Sequence, residues 1–361
     1  MRVAVVGTGL IGGSVGLALA GGGHEIVGFD RDETRLARAK ELGAITEVAA
    51  TFEDAVNDAD VVVIAVPVGQ VVELAIRALD AGAPIVTDVG SVKGPLVAAL
   101  EAERPETAER FIGGHPMAGS EQEGVDGADA DLFVGATWVL TPTTATAANA
   151  FAQLRGLLRE LGAEVVSVQP EHHDVLVALV SHVPQLAAST LMDVATDHEE
   201  EHRTLLRLAA GGFRDMTRIA AGHPGIWPDI LSANRDAVLD ALDAYLDALR
   251  RARDLVAGAD REGLLGLLDR ARAARRNLPV GASVNTELLE LRVPVLDRPG
   301  SIAEVTTLAT QLGVNVADLE IAHSLEGGGG VLVMVVPAAG ADAFEAGLRE
   351  LGYHTSRTVL P

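Results

Sequence analysis

The sequence predicts an α/β protein in three parts: a doubly wound, mostly parallel sheet over residues 1–169, an all-α domain over 170–280 and a ferredoxin-like βαββαβ unit over 288–361. Three observations predict it. Strand-like apolar runs alternate with helical stretches through the first part, as a parallel sheet with crossover helices requires. From Pro170 to about Arg275, apolar residues recur at spacings of three and four. From Leu288 the period returns to two, in the order strand, helix, strand, strand, helix, strand.

The elements follow in chain order. "RVAVV" (2–6) is a β-branched strand, followed by "GTGLIGGS" and a helix over Val15–Ala20. "EIVGFD" is a second strand, then come a charged helix over 32–42 and a short strand. "ADVVVIAVP" is apolar throughout, as a strand buried on both faces should be. "VVELAIRAL" is helical, "APIVTDVGS" and "RFIGGHP" are strands, and "TWVLTP" and "AEVVSV" extend the sheet. The two long amphipathic stretches of the second part predict a homodimer, since such helices often pair across a two-fold axis. "RRNLPVGASVN" reads as a linker. In the last part, "LLELRVPVL", "VADLEIAHSL", "VLVMVVP" and "YHTSRTVL" are strands around two helices.

Composition narrows the function classes. Hydrophobic residues make up 48% of 361 positions, enough for a large core, which argues against disorder. A net charge of −23 repels nucleic acid and anionic membranes, so the expected partner is a small molecule. No uninterrupted apolar run reaches the roughly 18 residues of a membrane span, and the first residues lack a signal-peptide pattern; a cytoplasmic protein is expected. The absence of cysteine excludes disulfides, zinc–thiolate sites and thiol nucleophiles. An anionic substrate would need local positive charge, and the only lysines are Lys40 and Lys93.

Gly7, Gly9 and Gly12 form G-x-G-x-x-G between a strand and a helix, the Rossmann dinucleotide fingerprint. The loop Gly7, Thr8, Gly9, Leu10, Ile11, Gly12 would hold a pyrophosphate at the helix N-terminus. Asp30 ends the second strand, where an acid bonds a ribose 2′-OH, which favours NAD; Arg31 beside it leaves NADP open. In such sheets ligands sit outside the carboxyl ends of the strands. Those ends carry Val66 and Pro67, then Asp88, Ser91 and Lys93, then His115. His115 is either a loop cap or a general base, with Ser91 placed to hold its tautomer.

In the helical part, "VSHVPQ" carries His182 and Gln185, and "GGFRDMTRIA" carries Arg214, Asp215 and Arg218, with Trp227 nine residues beyond Arg218. By itself His182 reads as either a packed core residue or a ligand. Arg218 is either paired with Asp215 or holds a substrate carboxylate. "HEEEHR" (198–203) reads as a solvated acidic helix end, and no metal site is expected.

Together "GTGLIGGS", "AVP", "DVGSVK", "GGHPMAGSEQEG", "VSHVPQ" and "GGFRDMTRIA…W" resemble, in order, the prephenate and arogenate dehydrogenases of tyrosine biosynthesis, over residues 1 to about 275. "DRPGSIAEV" (297–305) resembles an ACT domain, an amino-acid-sensing module. The resemblance implies oxidative decarboxylation with NAD. His115 would be the base, Ser91 its orienter and Arg218 the group that binds a substrate carboxylate. Glu121, His182 and Trp227 would lie near the active site. Many prephenate-specific members read "SHLPH" where this chain has Gln185, which leaves prephenate against arogenate open. The ACT resemblance implies feedback control, most simply by tyrosine, at Asp297, Pro299, Gly300 and Ser301. The rivals are another two-domain dehydrogenase and a non-catalytic sensor of NAD and an amino acid.

Overall fold

The computed structural model describes residues 1–119, 122, 124–196, 211–276, 288–296, 298–316, 318–323 and 329–359. The chain divides into two compact units, Met1–Arg250 and Arg251–Pro361.

The first unit is built on an eight-stranded sheet of order β3-β2-β1-β4-β5-β6-β7-β8. Its strands are β1 (Arg2–Val6), β2 (Glu25–Phe29), β3 (Glu47–Val48), β4 (Val61–Ile64), β5 (Val86–Asp88), β6 (Phe111–Pro116), β7 (Thr137–Thr141) and β8 (Glu164–Ser167). Its helices are α1 (Leu10–Gly21), α2 (Glu33–Glu41), α3 (Phe52–Val56), α4 (Val68–Asp80), α5 (Gly94–Glu103) and α6 (Ala148–Glu160). Helix α1 begins five residues earlier than its apolar pattern alone suggests, because the glycine loop feeds directly into it.

Alternation along β1 splits the core between the two faces of the sheet. Val3 and Val5 join a cluster with Leu19 of α1 and Leu154 of α6, while Ala4 and Val6 join one with Val71 of α4 and Leu100 of α5. Both faces are covered, which is why β4 reads as continuous valine and isoleucine.

One pairing departs from a doubly wound parallel sheet. β7 runs antiparallel to β6, and β8 then runs parallel to β7. Only Phe111 and Ile112 of β6 pair with β5, whereas Gly113–Pro116 pair with Thr141–Trp138 of β7. Strand β7 therefore carries β6 past the rim of its parallel neighbour, with His115 on the extension.

One helical run spans Pro170–Thr196: α7 (Pro170–Val177), a π-helical turn over Ala178–His182, and α8 (Val183–Thr196). By length and mean hydropathy it is apolar enough to cross a membrane, although polar residues interrupt it and it holds no continuous apolar run of that length. One stripe is buried and holds His173, Asp174, Val177, Ala178 and His182. The opposite side exposes Val175, Leu176, Leu179 and Val180. The π turn absorbs one extra residue and keeps His182 on the buried stripe. It ends two residues before Pro184, which has no N–H to return to the preceding turn. Further helices cover Gly211–Thr217, Trp227–Ala233 and Arg235–Ala257.

In the second unit, after the helix Arg261–Arg276, β9 (Leu288–Leu296), a helix (Ser301–Gln311), β10 (Asp318–His323), β11 (Gly329–Pro337), a helix (Ala338–Glu350) and β12 (Ser356–Val359) follow in the βαββαβ order. The sheet order is β10-β11-β9-β12 with antiparallel neighbours throughout. Leu291, Val293, Leu332 and Met334 pack against Val305, Phe344 and Leu348 of the two helices. The linker expected from "RRNLPVGASVN" lies mostly outside the described residues.

Candidate active site

The glycine loop shows three different needs. Gly7 has φ +92°, and a Cβ there would run into the carbonyl of Ala65. A Cβ on Gly12 would run into the carbonyl of Gly7. Gly9 is the opposite case: a Cβ would meet nothing within 4 Å, so the space over it is open to a ligand. Gly9 is also the N-cap of α1 and no side chain caps that end, which leaves the first-turn N–H groups facing outward. The loop thus fits a pyrophosphate.

Asp30 is buried beside it. Its Oδ2 accepts the Thr8 backbone N–H at 2.8 Å and the Thr8 hydroxyl at 3.2 Å, and its Oδ1 accepts the Asp32 N–H at 2.9 Å. Arg35 lies 3.5 Å from Oδ2. Since each carboxylate oxygen accepts about two bonds, Oδ1 keeps capacity for a ribose hydroxyl. A cleft of about 780 Å³ opens on this side, lined by Asp30 together with Arg31, Leu36 and Lys40. Val66 and Pro67 follow the neighbouring strand β4 and lead into α4.

At the end of β5, Lys93 is fully buried and ion-paired to Asp88. Asp88 also accepts the N–H groups of Gly90 (2.8 Å) and Gly114 (3.1 Å), tying β5 to β6. Burial pushes the Lys93 ammonium below its ordinary pKa, opposed by Asp88 and Asp174. Lys93 is therefore consumed as a structural counter-ion.

His115 lies half-buried at the rim. Its Nδ1 meets His173 Nε2 at 2.9 Å, and His173 Nδ1 meets Asp174 Oδ1 at 2.8 Å. Asp174 in turn accepts the backbone N–H groups of Lys93 (2.8 Å to Oδ1) and Gly94 (2.7 Å to Oδ2) at the start of α5. The sequence pointed to Ser91 as the group holding the imidazole. In the structure Ser91 is half-buried on the same loop and makes no hydrogen bond to His115 among the described residues; His173 takes that place. Burial is the main force that holds His115 well below the usual imidazole range, reinforced by Lys93, His173 and His182.

His182 is 1% exposed. Burial lowers its pKa to about 4, against the opposing pull of Asp174. Asn234 joins it to the rest: the Asn234 amide donates to the Asp174 backbone carbonyl at 2.8 Å and lies 3.3 Å from His182 Nδ1. His182 Nε2 is buried without a partner. Trp227 stands edge-to-face against the His182 ring, centroids 6.2 Å apart.

Gln185 is buried on α8, with a long 3.4 Å contact to the Ser189 hydroxyl. Arg218 is exposed at the start of a 3-10 turn that packs against α8. Glu121, Asp297 and the "HEEEHR" stretch lie outside the described residues. Pro299 and Gly300 form an exposed turn before the Ser301–Gln311 helix. Among the described residues no group of three or more histidine and acidic side chains is placed to hold a metal ion.

His173, Asp174 and Asn234 were not among the residues singled out by sequence. The available signal was "HHD" at the head of an apolar helix, but the burial of His173 and exposure of His172 depend on how that helix docks.

Two family models match the chain: "Prephenate dehydrogenase, nucleotide-binding domain" over residues 15–167 and "Prephenate dehydrogenase, dimerization domain" over 169–270. The chain is 34% identical to a prephenate dehydrogenase of Bacillus subtilis, over 91% of this chain and 90% of that one. Among solved structures it is similar to the Aquifex aeolicus prephenate dehydrogenase in complex with hydroxyphenyl propionate and NAD+ (TM-score 0.71, 32% identity, 77% of this chain and 98% of that one). It is also similar to the Synechocystis arogenate dehydrogenase (TM-score 0.67, 30% identity, 76% and 99%).

Proposed function

This chain belongs to the prephenate dehydrogenase family, and on that premise we propose that it catalyses the NAD-dependent oxidative decarboxylation of prephenate to 4-hydroxyphenylpyruvate. The observation that carries the reading is His115: a neutral imidazole on the strand extension, held through Nδ1 and leaving Nε2 for a substrate proton.

The residues divide the work. Gly7–Gly12 and Asp30 would hold the dinucleotide, with Val66 and Pro67 beside it. NAD+, when bound, supplies the hydride acceptor. His115 takes the proton of the substrate 4-hydroxyl as the C4 hydrogen leaves as hydride, and the ring carboxylate departs as CO2 with aromatisation. Ser91, on the loop between β5 and α5, remains a candidate for contact with the reacting hydroxyl. Arg218 would bind a substrate carboxylate, and His182, Gln185, Trp227 and Glu121 would complete the substrate side.

Arogenate is the second reading, favoured by Gln185 in place of the second histidine and by the likeness to the Synechocystis enzyme. Initial rates with prephenate and with arogenate, each with NAD+ and NADP+, test both. NADH formation with prephenate supports the proposal, turnover of arogenate alone moves it to the second reading, and no turnover with either overturns it.

The apolar face of Pro170–Thr196 supports homodimerisation through the helical part, as the matching "dimerization domain" model also does. We read residues 1–169, 170–280 and 288–361 as cofactor-binding, substrate and regulatory domains, and the protein as cytoplasmic. The βαββαβ unit is consistent with an ACT module. Its buried Ser301 hydroxyl has no partner, next to Gly300 at φ +97° as the helix N-cap, a position suited to an amino-acid carboxylate. Titration calorimetry with tyrosine and phenylalanine tests it: heat with tyrosine supports feedback control, and no heat with either removes it.

A further inference from the structure

The network behind the site uses three buried residues to which the reaction as written assigns nothing: His173, Asp174 and Asn234. Their hydrogen bonds determine where protons sit. Both Asp174 oxygens face backbone N–H groups, which only donate, so the side chain acts as an acceptor on both sides. It therefore accepts a hydrogen bond from His173 Nδ1–H. With the two rings neutral, His173 Nε2 is then an acceptor, and the hydrogen between the rings belongs to His115 Nδ1. With a single proton on His173, this assignment satisfies all of these bonds, and it leaves the His115 lone pair on Nε2.

The other arm runs through the main chain of the same residue. Asn234 donates one amide hydrogen to the Asp174 carbonyl, which orients its NH2 group. Its second hydrogen faces His182 Nδ1, which must then accept. The His182 proton lies on Nε2, the buried atom without a partner. A buried N–H is seldom left unpaired, so this atom is positioned for an acceptor oxygen of a ligand.

We propose that Asp174, acting through His173, and Asn234 are positioning residues that fix opposite tautomers on the two site histidines: His115 as a proton acceptor at Nε2, and His182 as a neutral donor at Nε2 to a substrate oxygen. The proposal rests on the reading of His115 as the base. It makes the site selective for a substrate that offers a hydroxyl to one ring and an acceptor to the other.

Isosteric exchanges test it. Asp174→Asn removes the negative charge and one of the two acceptor oxygens that His173 Nδ1, Lys93 N–H and Gly94 N–H share, so the proton between His173 and His115 is no longer fixed on His115 Nδ1. Expected is a fall in kcat of about 10³- to 10⁴-fold, the size seen when a base is held in the wrong tautomer, with KM and NAD affinity changed little. Asn234→Asp demands a proton on His182 Nδ1. Expected is a rise in KM for prephenate of about tenfold, with a smaller change in kcat. Imidazole ¹⁵N spectra of the full-length wild type, assigned with His115→Asn and His182→Asn, read the tautomers directly and do not depend on either exchange folding. Signals showing His115 protonated at Nε2, or His182 at Nδ1, overturn the corresponding arm. An unchanged kcat in Asp174→Asn alongside an inactive His115→Asn overturns the relay and leaves the base standing. An active His115→Asn removes the base reading itself.

Discussion

His115 and His173 meet nitrogen to nitrogen at 2.9 Å, their rings at 75° and their centroids 5.1 Å apart. They come from different elements: His115 from the extension of β6, His173 from the buried stripe of α7. The pair exists only because α7 docks on the carboxyl edge of the sheet, where Asp174 caps the start of α5.

Acidification should cost both activity and stability. His115 and His182 hold folded-state pKa values below the ordinary 6.5, His182 at about 4. Between those limits the unfolded chain binds protons that the folded chain does not, so stability is present above pH 6.5 and is lost as pH falls toward 4. Melting temperature should be flat from pH 8 to 7 and drop between 6.5 and 4. kcat/KM should hold through pH 6.5 and fall only below it. A kcat/KM profile that bends at pH 6.5 or above would mean that His115 titrates like an exposed imidazole.

Gly9 and Gly12 should respond differently to alanine. Gly9→Ala adds a methyl into open space, so the melting temperature should stay within about 2 °C while NAD affinity drops at least tenfold, the methyl occupying the approach to the pyrophosphate. Gly12→Ala drives a methyl into the Gly7 carbonyl and should cost about 1–3 kcal/mol of stability as well. Denaturant melts beside NAD titration separate the two. Equal stability loss in both variants would contradict the open space over Gly9.

Lys93→Met should be among the more damaging single changes outside the reacting groups. It leaves Asp88 buried without its counter-ion and should destabilise the fold by about 3–5 kcal/mol. Urea unfolding measures it. A loss under 1 kcal/mol would mean that Asp88 finds another partner or takes up a proton.

The exposed face of Pro170–Thr196 should hold two copies together. Leu179 is 59% exposed and Val180 62%. Leu179→Arg with Val180→Glu should convert a dimer to a monomer in light scattering after size-exclusion chromatography, because charges on a dry helix face cannot be buried unpaired. A variant that still elutes as a dimer would locate the interface elsewhere.

Local chemistry made much of this protein readable as a string. Apolar runs in the first sheet and period-two alternation in the second marked their strands, because side chains report which faces are buried. The glycine fingerprint was legible because backbone collisions at Gly7 and Gly12 tolerate no other residue. Helices α3, α5 and α6 were not read from the sequence, and the antiparallel direction of β7 left no signal, since a strand's own pattern is the same in either direction.

His115, His182 and the acid at the end of β2 were thus determined by the sequence, as residue types in motifs with a physical purpose. Which groups they touch was decided by the tertiary structure. Ser91 is close to His115 in the chain, yet His173, 58 residues away, is its partner. Lys93, read from the sequence only as a polar residue after a strand end, is a buried counter-ion of Asp88. The reason is directional: a hydrogen bond depends on ångström distances between side chains on separate elements, and the spacing of residues within one element carries no such information.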